Sequence, residues 1–297
     1  MNKIKNILIT GSSGTIGTRL FEKLLEKGYR VKGFDRKKNK WNPALNKLTI
    51  IGDLLKKDLK KVQGGTDLII HLAANPRVHE LVKKPEQALE NVISLYNTIN
   101  FARKNNIKKI IFSSSREVYG NREKIVSREA DANFSLCESP YSASKISGEA
   151  FIISFLKCYG IKYIICRLSN VYGMYDESER FFPLLFKKMK KNQPVNIYGK
   201  DKILDFTYID DCVDGIIKCV VNFEKNKNNV FNISSGSGQK LTHVAQLLKK
   251  EMGSNSRIII KKSLTGEVKK FIADISKAEK LLAYEPQWKI DDGIKSL

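Results

Sequence analysis

The sequence predicts an α/β fold in which a doubly wound parallel sheet is covered by helices on both faces. Short, almost continuous apolar runs alternate with segments of helical periodicity through the first 170 residues. Parallel strands that are buried on both faces have this composition. A glycine-rich turn joins the first apolar run to the first helical segment, which is typical of sheets that bind a ligand at this edge.

The predicted elements follow one another in a regular order. Strands are expected at 5–10, 29–35, 48–53, 67–74, 108–115 and 162–169, and helices at 16–28, 85–106 and 138–160. The pattern of the helix at 85–106 is amphipathic, because apolar residues recur on one face at the period of 3.6. These residues are Leu89, Val92, Ile93, Tyr96 and Ile99.

The rhythm changes after about residue 170, where aromatic residues, loops and shorter segments take over. A helix is expected at 208–222, followed by a strand at 229–235, a helix at 241–252, a strand at 257–262 and a helix at 274–283. We therefore predict two interleaved lobes. Residues 1–170 form the sheet domain and 205–228 return to it, whereas 171–204 and 229–297 form a smaller α/β lobe.

The composition argues against several classes of protein. No apolar run reaches the ~18 residues that cross a bilayer, and the opening MNKIKNILITGSSG lacks the cleavage site of a signal peptide. The five cysteines form no C-x-x-C pair, and the three histidines are scattered. We therefore expect a cytoplasmic protein with reduced thiols and no metal site.

The formal net charge of +22 has several interpretations. The lysines are spread along the whole chain and no nucleic-acid-binding signature accompanies them. We interpret them as a solvated surface and expect neither nucleic acid nor a membrane as partner. The positive field would still attract a phosphorylated substrate.

The segment TGSSGTIG at 10–17 predicts a dinucleotide site. Gly11, Gly14 and Gly17 allow a tight turn and let the backbone approach a pyrophosphate at the helix N-terminus. Asp35 ends the second predicted strand, where an acid binds the ribose hydroxyls and repels a 2′-phosphate, so NAD is favoured over NADP. Asp53 ends the third strand near the expected adenine, and HLAA at 71–74 ends the fourth. The predicted cofactor contacts here are Gly11, Gly14, Thr15, Ile16, Gly17, Asp35, Arg36, Asp53, Leu54, Leu72, Ala73 and Ala74.

The segment PYSASK predicts the chemistry. Tyr141 and Lys145 are four residues apart and share one helical face. The ammonium group is expected to lower the pKa of the tyrosine, which is ordinarily near 10, and Ser115 at the end of the fifth strand would orient the substrate oxygen. Tyr141 would then take the proton of a sugar or alcohol hydroxyl while hydride leaves for NAD.

These motifs resemble those of the extended short-chain dehydrogenases/reductases, specifically the NAD-dependent nucleotide-sugar epimerase/dehydratase group. TGSSGTIG, HLAA, SSSREVYG, PYSASK, RLSNVYG and LDFTYIDD occur in the expected order along nearly the whole chain. The resemblance implies a Rossmann-type sheet domain that holds NAD tightly and a smaller lobe that binds the substrate. It also implies, in many members, a homodimer built through two helices of each subunit.

The resemblance also extends the set of site residues. It adds Asn91, Ser113, Tyr141, Lys145 and Leu168 to the cofactor contacts. The nucleotide sugar would contact Ser115, Glu117, Tyr141, Asn170, Arg180, Phe182 and Lys269. An arginine that often contacts the sugar diphosphate is replaced here by Leu204, so its charge would come from Arg180, Lys200, Lys202, Lys269 or Lys270.

Within this group a UDP-hexose 4-epimerase is the leading prediction. A UDP-glucuronate decarboxylase and a nucleotide-ketosugar reductase follow, and a non-catalytic NAD-binding regulator or a nucleic-acid-binding relative is less favoured. Related 4,6-dehydratases resemble T-D-E-V-Y-G at the segment that reads SREVYG here, so Arg116 takes the place of their aspartic acid. Because an arginine stays protonated, it cannot act as the acid that water loss needs, and we expect no dehydration. Arg116 would pair with Glu117, contact the substrate or point to solvent.

Overall fold

The computed structural model describes residues 4–56 and 58–297, and within them the chain forms fourteen strands and ten α-helices. In chain order the strands are β1 (Asn6–Thr10), β2 (Arg30–Asp35), β3 (Thr49–Ile51), β4 (Leu68–His71), β5 (Lys109–Ser115), β6 (Val126–Ser127), β7 (Lys162–Leu168), β8 (Asn170–Tyr172), β9 (Val195–Tyr198), β10 (Ile203–Tyr208), β11 (Asn229–Ile233), β12 (Gly238–Lys240), β13 (Ile258–Lys261) and β14 (Lys270–Ala273). The helices are α1 (Thr15–Glu26), α2 (Val78–Lys83), α3 (Glu86–Lys104), α4 (Pro140–Tyr159), α5 (Phe181–Met189), α6 (Ile209–Val221), α7 (Phe223–Asn226), α8 (Leu241–Glu251), α9 (Ser276–Leu282) and α10 (Ile290–Lys295).

Seven parallel strands form the large sheet, in the order β11-β7-β5-β4-β1-β2-β3. Alternate residues of β1 belong to hydrophobic clusters on opposite faces of the sheet. Ile7 and Ile9 pack with α1 and α6, whereas Leu8 packs with α3 and α4. Both faces of the sheet are therefore covered, which explains why its strands are apolar almost throughout. The doubly wound, Rossmann-type fold is confirmed.

The predicted lobe boundaries differ from the structure at three strands. β6 lies within residues 1–170 but pairs with β14 in the second sheet. We assigned residues from 229 onwards to the smaller lobe, but β11 pairs with β7 and forms the edge of the large sheet. Conversely, β10 lies in the second sheet, and the part of 205–228 that returns to the first domain is α6, where Asp210 accepts a bond of 2.6 Å from Arg19 of α1. An apolar alternation fits an edge strand of either sheet, so the sequence alone does not decide the pairing.

The amphipathic pattern of α3 marks a face that the protein leaves exposed. Leu89, Ile93 and Tyr96 are 62%, 45% and 42% exposed, although Ile99 is buried. The buried face of α3 consists mostly of small and polar residues, among them Asn91 and Thr98. A helical period identifies an apolar face but does not identify what covers it.

The smaller lobe is built around β10. This strand pairs with β12 in antiparallel orientation and with β14 and β8 in parallel, and β6 continues the sheet beyond β14. The side chain of Asp205 is fully buried and accepts hydrogen bonds from the backbone of Ser235, Gly236 and Ala273 at 3.0–3.2 Å. One carboxylate therefore holds the loop after β11 and the end of β14 against β10. No helix in the described ranges is both long and apolar enough to cross a membrane.

Candidate active site

The glycine-rich loop forms a cradle between β1 and α1. Gly11 has a φ of +77°, in the left-handed region, and a Cβ there would lie 2.7 Å from the backbone nitrogen of Ala73. A Cβ on Gly17 would lie only 2.1 Å from the carbonyl oxygen of Gly11. The loop can take this shape only with glycine at both positions, and the free backbone N–H groups at the start of α1 face the same edge of the sheet.

A cavity of about 580 Å³ opens at the carboxyl ends of β1, β2 and β4. The predicted cofactor contacts that line it are Gly11, Gly14, Asp35, Arg36, Leu54, Leu72, Ala73, Ala74 and Asn91. The other predicted contacts do not line the cavity. Thr15, Ile16 and Gly17 begin α1, Asp53 follows β3, Ser113 and Leu168 lie in β5 and β7, and Tyr141 and Lys145 lie in α4. Nine of the predicted cofactor contacts therefore share one cavity, and the roles of the full set stay a prediction.

Two acidic residues organise the wall of the cavity. The carboxylate of Asp35 accepts a bond of 2.9 Å from the backbone N–H of Ser13 and one of 3.0 Å from that of Lys37, so it fixes the glycine loop. The Arg36 guanidinium donates to Asp53 at 3.2 Å and to Glu90 at 3.4 Å. Because two carboxylates already hold this guanidinium, it is less available to a 2′-phosphate.

Asn75 is a lining residue that our sequence analysis missed. Its backbone N–H donates to Asn91 at 2.8 Å, and Asn91 in turn donates to its carbonyl at 3.2 Å and to Ser144 of α4 at 3.2 Å. These bonds connect the cofactor wall to the helix that carries Tyr141. Asn75 directly follows HLAA, so a polar residue at a strand end was the available signal.

The residues of this cavity fit NAD. The backbone cradle suits a pyrophosphate, and the Asp35 carboxylate lies where an acid binds the two hydroxyls of an adenosine ribose. The lining combines small apolar groups with a few polar side chains, as cofactor sites do. Within residues 4–56 and 58–297, no three His, Cys, Asp or Glu side chains gather into a metal site.

Ser115, Tyr141 and Lys145 meet beside this cavity. Ser115 ends β5, and its Oγ accepts a bond of 3.2 Å from the backbone N–H of Glu117. The same side chain lies near enough to the Tyr141 hydroxyl to act on the pKa of that group. Tyr141 lies in the first turn of α4, which begins where Ser139 caps the helix by accepting from the Ser142 N–H at 3.1 Å. Tyr141 and Lys145 are 7% and 4% exposed. A serine hydroxyl, a phenol and an ammonium group are thus held together in a site with little solvent.

The expected direction of the Tyr141 pKa is wrong for the protein alone. Burial raises the pKa of Tyr141 to about 12, although the polar side chain of Ser115 opposes this shift. The Lys145 Nζ lies 5.8 Å from the centre of the Tyr141 ring and donates instead to the carbonyl of Ser113 at 2.7 Å. Burial lowers the pKa of Lys145 to about 8, so most of the ammonium stays protonated at neutral pH.

Arg116 pairs with Glu117, which is one of the three roles that we considered. The Nη2 atom of Arg116 lies 2.7 Å from the Oε1 atom of Glu117, and both side chains are almost fully buried. Burial raises the pKa of Glu117, and the positive charge of Arg116 opposes that shift. The charges of both residues reach the Tyr141 hydroxyl, so the pair adjoins the predicted chemistry.

The predicted substrate contacts lie in different surroundings in the structure. Asn170 donates to the carbonyl of Asp205 at 2.9 Å, and Arg180 binds Asp176 at 2.7 Å while it stays partly exposed. Phe182 lies in the core, where the period of α5 turns its ring onto Tyr172 at 4.3 Å between ring centres, so its contact with the nucleotide sugar stays a prediction.

The basic residues near Leu204 divide into two groups. Lys202 is buried and paired with Glu267, so its charge is already compensated. Lys200, Lys269 and Lys270 are exposed. Leu204 itself is 7% exposed and belongs to the core.

The fold and the site together define a dinucleotide-dependent enzyme whose tyrosine, serine and lysine can act on a hydroxyl or carbonyl group. Residues 7–234 match the model of the NAD dependent epimerase/dehydratase family. The chain therefore belongs to that family, which confirms the resemblance seen in its motifs and NAD as its cofactor.

Several relatives are similar over almost their whole length. A putative UDP-glucose 4-epimerase of Methanocaldococcus jannaschii is 33% identical over 302 residues, which cover 97% of this chain and 96% of the relative. The UDP-glucose 4-epimerase of Thermotoga maritima, solved with UDP-glucose, is 30% identical and has a TM-score of 0.87, with 98% and 96% of the two chains covered. The UDP-glucuronic acid 4-epimerase of Bacillus cereus, solved with UDP-glucuronic acid and NAD, is 30% identical and has a TM-score of 0.91, with 98% and 97% covered.

Proposed function

We propose that this protein is an NAD-dependent UDP-hexose 4-epimerase in which Tyr141 is the acid and base. The observation that carries this proposal is the burial of Tyr141 near Ser115 at the carboxyl end of β5, with Lys145 one helical turn away and bound to the carbonyl of Ser113. The relatives described above are 4-epimerases of UDP-sugars, which supports the same reaction class.

The residues of this chain would move one proton in each direction. Ser115 orients the C4 hydroxyl of the sugar, and Tyr141 removes its proton as the C4–H bond breaks and a ketone forms. When bound, NAD supplies a hydride acceptor and donor, and a positive charge that favours the tyrosinate. The ketosugar then rotates so that the opposite face of C4 meets the cofactor. Hydride would return to that face while Tyr141 returns the proton to the C4 oxygen, so the sugar is not oxidised overall.

Lys145 would serve both the cofactor and the tyrosine. Its ammonium group uses one of its three donors on the carbonyl of Ser113. The remaining donors are available to a ribose hydroxyl, and the positive charge favours the ionised tyrosine. We assign Lys145 this double role because it is buried within the site and not paired with a carboxylate at contact distance.

The UDP group would be held at the junction of the two lobes. Arg180 is the candidate for its diphosphate, because its charge reaches the Tyr141 hydroxyl and its side chain is still 34% exposed. Asn170 and the exposed Lys269 complete the proposed contacts. These residues would take over the role of the diphosphate-binding arginine, whose position in this chain is occupied by Leu204.

We also propose a homodimer built on α3 and α4. Leu89, Ile93 and Tyr96 expose one apolar stripe on α3, and the Tyr96 ring contacts Phe151 of α4 at 6.0 Å between ring centres. Exposed apolar stripes of this kind mark interaction sites. In light scattering, Ile93→Lys should convert the dimer to a monomer, whereas Val221→Lys, a control at an apolar residue that is 65% exposed elsewhere, should not.

A panel of substrates tests the proposed reaction. UDP-glucose, UDP-galactose, UDP-glucuronate and dTDP-glucose are supplied separately, and the products are identified by NMR. Interconversion of the first two supports the proposal. Release of carbon dioxide from UDP-glucuronate would favour the decarboxylase, for which the retained Glu117 is the observation, and formation of a 4-keto-6-deoxy sugar would refute the argument from Arg116.

A further inference from the structure

Arg116 and Glu117 occupy a rigid position directly after Ser115. They begin a 3₁₀ turn, Arg116–Tyr119, that Ser115 caps. Val118 and Tyr119 anchor this turn, since both are buried and the Tyr119 hydroxyl donates to Asn232 at 2.6 Å. The backbone that carries the two charged side chains is therefore held in place next to Ser115.

The pair leaves two polar atoms without partners. One nitrogen and one oxygen are used in the 2.7 Å contact between Arg116 Nη2 and Glu117 Oε1. The other guanidinium nitrogen, Nη1, and the other carboxylate oxygen, Oε2, are buried and have no hydrogen-bond partner among the described residues. Buried polar atoms are almost always paired in native proteins, so this donor and this acceptor point to a ligand.

The two free atoms match a hydroxyl group. A hydroxyl donates one hydrogen bond and accepts others, so one group can accept from Arg116 and donate to Glu117. A carboxylate can only accept, and it would meet the Glu117 oxygen with a like charge. The carboxylates of Glu138 and Glu267 also act on Glu117, against the cations of Arg116 and Lys202. A further negative charge is therefore disfavoured here.

Resting on the proposed function, we propose that Arg116 and Glu117 form a hydroxyl-binding subsite that selects a neutral hexose over a hexuronic acid. Ser115 caps the turn that carries the pair, and the charges of both residues act on the Tyr141 hydroxyl, so the group that the pair binds would be next to the reacting C4. Two groups meet that condition, the C3 hydroxyl and the hydroxymethyl on C5. The subsite orients the sugar and does not transfer the proton, which makes both residues specificity determinants.

The wild-type protein tests the subsite without any substitution. The kcat/KM is measured for UDP-glucose, its 3-deoxy and 6-deoxy analogues, and UDP-glucuronate. We expect one deoxy analogue to be about 10- to 100-fold poorer than UDP-glucose, because a hydrogen bond to a charged group is lost. We expect UDP-glucuronate to be poorer than UDP-glucose as well. Values for both deoxy analogues within about threefold of the parent, or a preference for UDP-glucuronate, would overturn the inference.

A substitution then links the effect to the pair. Glu117→Gln should lower kcat/KM for UDP-glucose about 10-fold or more, but only slightly for the deoxy analogue that lacks the bound hydroxyl. The control is Arg122→Gln, which breaks an ion pair with Asp131 at 2.8 Å in the same segment and should affect all substrates alike. Equal losses for both substrates in Glu117→Gln would show that the pair is only structural. A wild-type protein that turns over no UDP-sugar would refute the proposed function itself. If it turns over UDP-glucose and both deoxy analogues with similar kcat/KM, only the proposed subsite is refuted.

Discussion

Replacement of Gly17 by alanine tests whether the glycine cradle sets the affinity for NAD. Gly17 is the third residue of α1, and its Cα faces the loop that begins at Gly11. An added Cβ would lie 2.1 Å from the Gly11 carbonyl oxygen and 2.9 Å from the Cα of Ser12. Both contacts are with backbone atoms, so no side-chain rotation relieves them.

The size of the effect follows from these distances. A Cβ keeps at least 3.0 Å from such atoms, so loop and helix must separate by about 0.9 Å. Overpacking of this kind costs about 1–3 kcal/mol, and alanine recovers about 1 kcal/mol as a better helix former. We therefore expect the free energy of unfolding to fall by about 0–2 kcal/mol. Because the displaced atoms form the cradle, NAD affinity should fall about 10- to 100-fold.

The assay is calorimetric titration of NAD into stripped protein, with urea unfolding measured on the same samples. The control is Gly65→Ala, because a Cβ at Gly65 meets no atom within 4 Å and its backbone is not in the left-handed region. This control should leave NAD affinity unchanged. A Gly17→Ala protein that binds NAD within about twofold of the wild type would refute the reasoning, since the cradle would then tolerate the shift.

Three further predictions concern the chemistry and an ion pair between β7 and α4. Tyr141→Phe should lower kcat about 10²- to 10⁴-fold while bound NAD, measured by absorbance, stays unchanged; near-normal turnover would place the proton transfer elsewhere. The folded state lowers the pKa of Lys145 from 10.5 to about 8. Because the unfolded state then holds the proton more tightly, the free energy of unfolding of the wild type should rise relative to that of Lys145→Met as the pH rises from about 8 to 10.5. Urea unfolding measures this difference, and a difference that does not change with pH would contradict the shift. Arg167→Met removes a buried guanidinium that binds Glu149 at 2.7 Å and leaves this largely buried carboxylate without its cation. The loss should cost about 3–5 kcal/mol, whereas Arg128→Met at a site 77% exposed should cost about 0–1 kcal/mol. Similar losses would mean that burial does not decide the effect.

Local motifs predicted the cofactor edge of the sheet because their chemistry depends on short spacings. Gly11, Gly17 and Asp35 lie within one strand–helix–strand unit, and the structure places Gly11 and Asp35 in the wall of one cavity. Tyr141 and Lys145 were found from their helical spacing taken together with the glycine motif, Asp35 and the serine at a strand end, and both are buried near Ser115. The spacing of residues in the sequence is enough to predict a site when all of its residues lie in one helix or in one strand–helix–strand unit.

Other features depend on contacts that no local pattern contains. Phe182 was predicted to meet the nucleotide sugar, but its stacking on Tyr172 is decided by how α5 packs in the smaller lobe. The ion pair of Arg167 with Glu149 joins β7 to α4 and has no signal in either segment. The pKa of Tyr141 also depends on burial, which the spacing of Tyr141 and Lys145 cannot give.

The path of the chain through both lobes has a consequence for synthesis. β7 needs β11 to cover its edge, and Ile164 pairs with Asn229, which leaves the ribosome 65 residues later. At 5–20 residues per second, that edge stays unpaired for roughly 3–13 s. An open strand edge is a template for pairing with another nascent chain. We therefore expect fragments that end before residue 229 to aggregate, so that the cofactor domain cannot be produced by truncation even though its motifs are complete by residue 170.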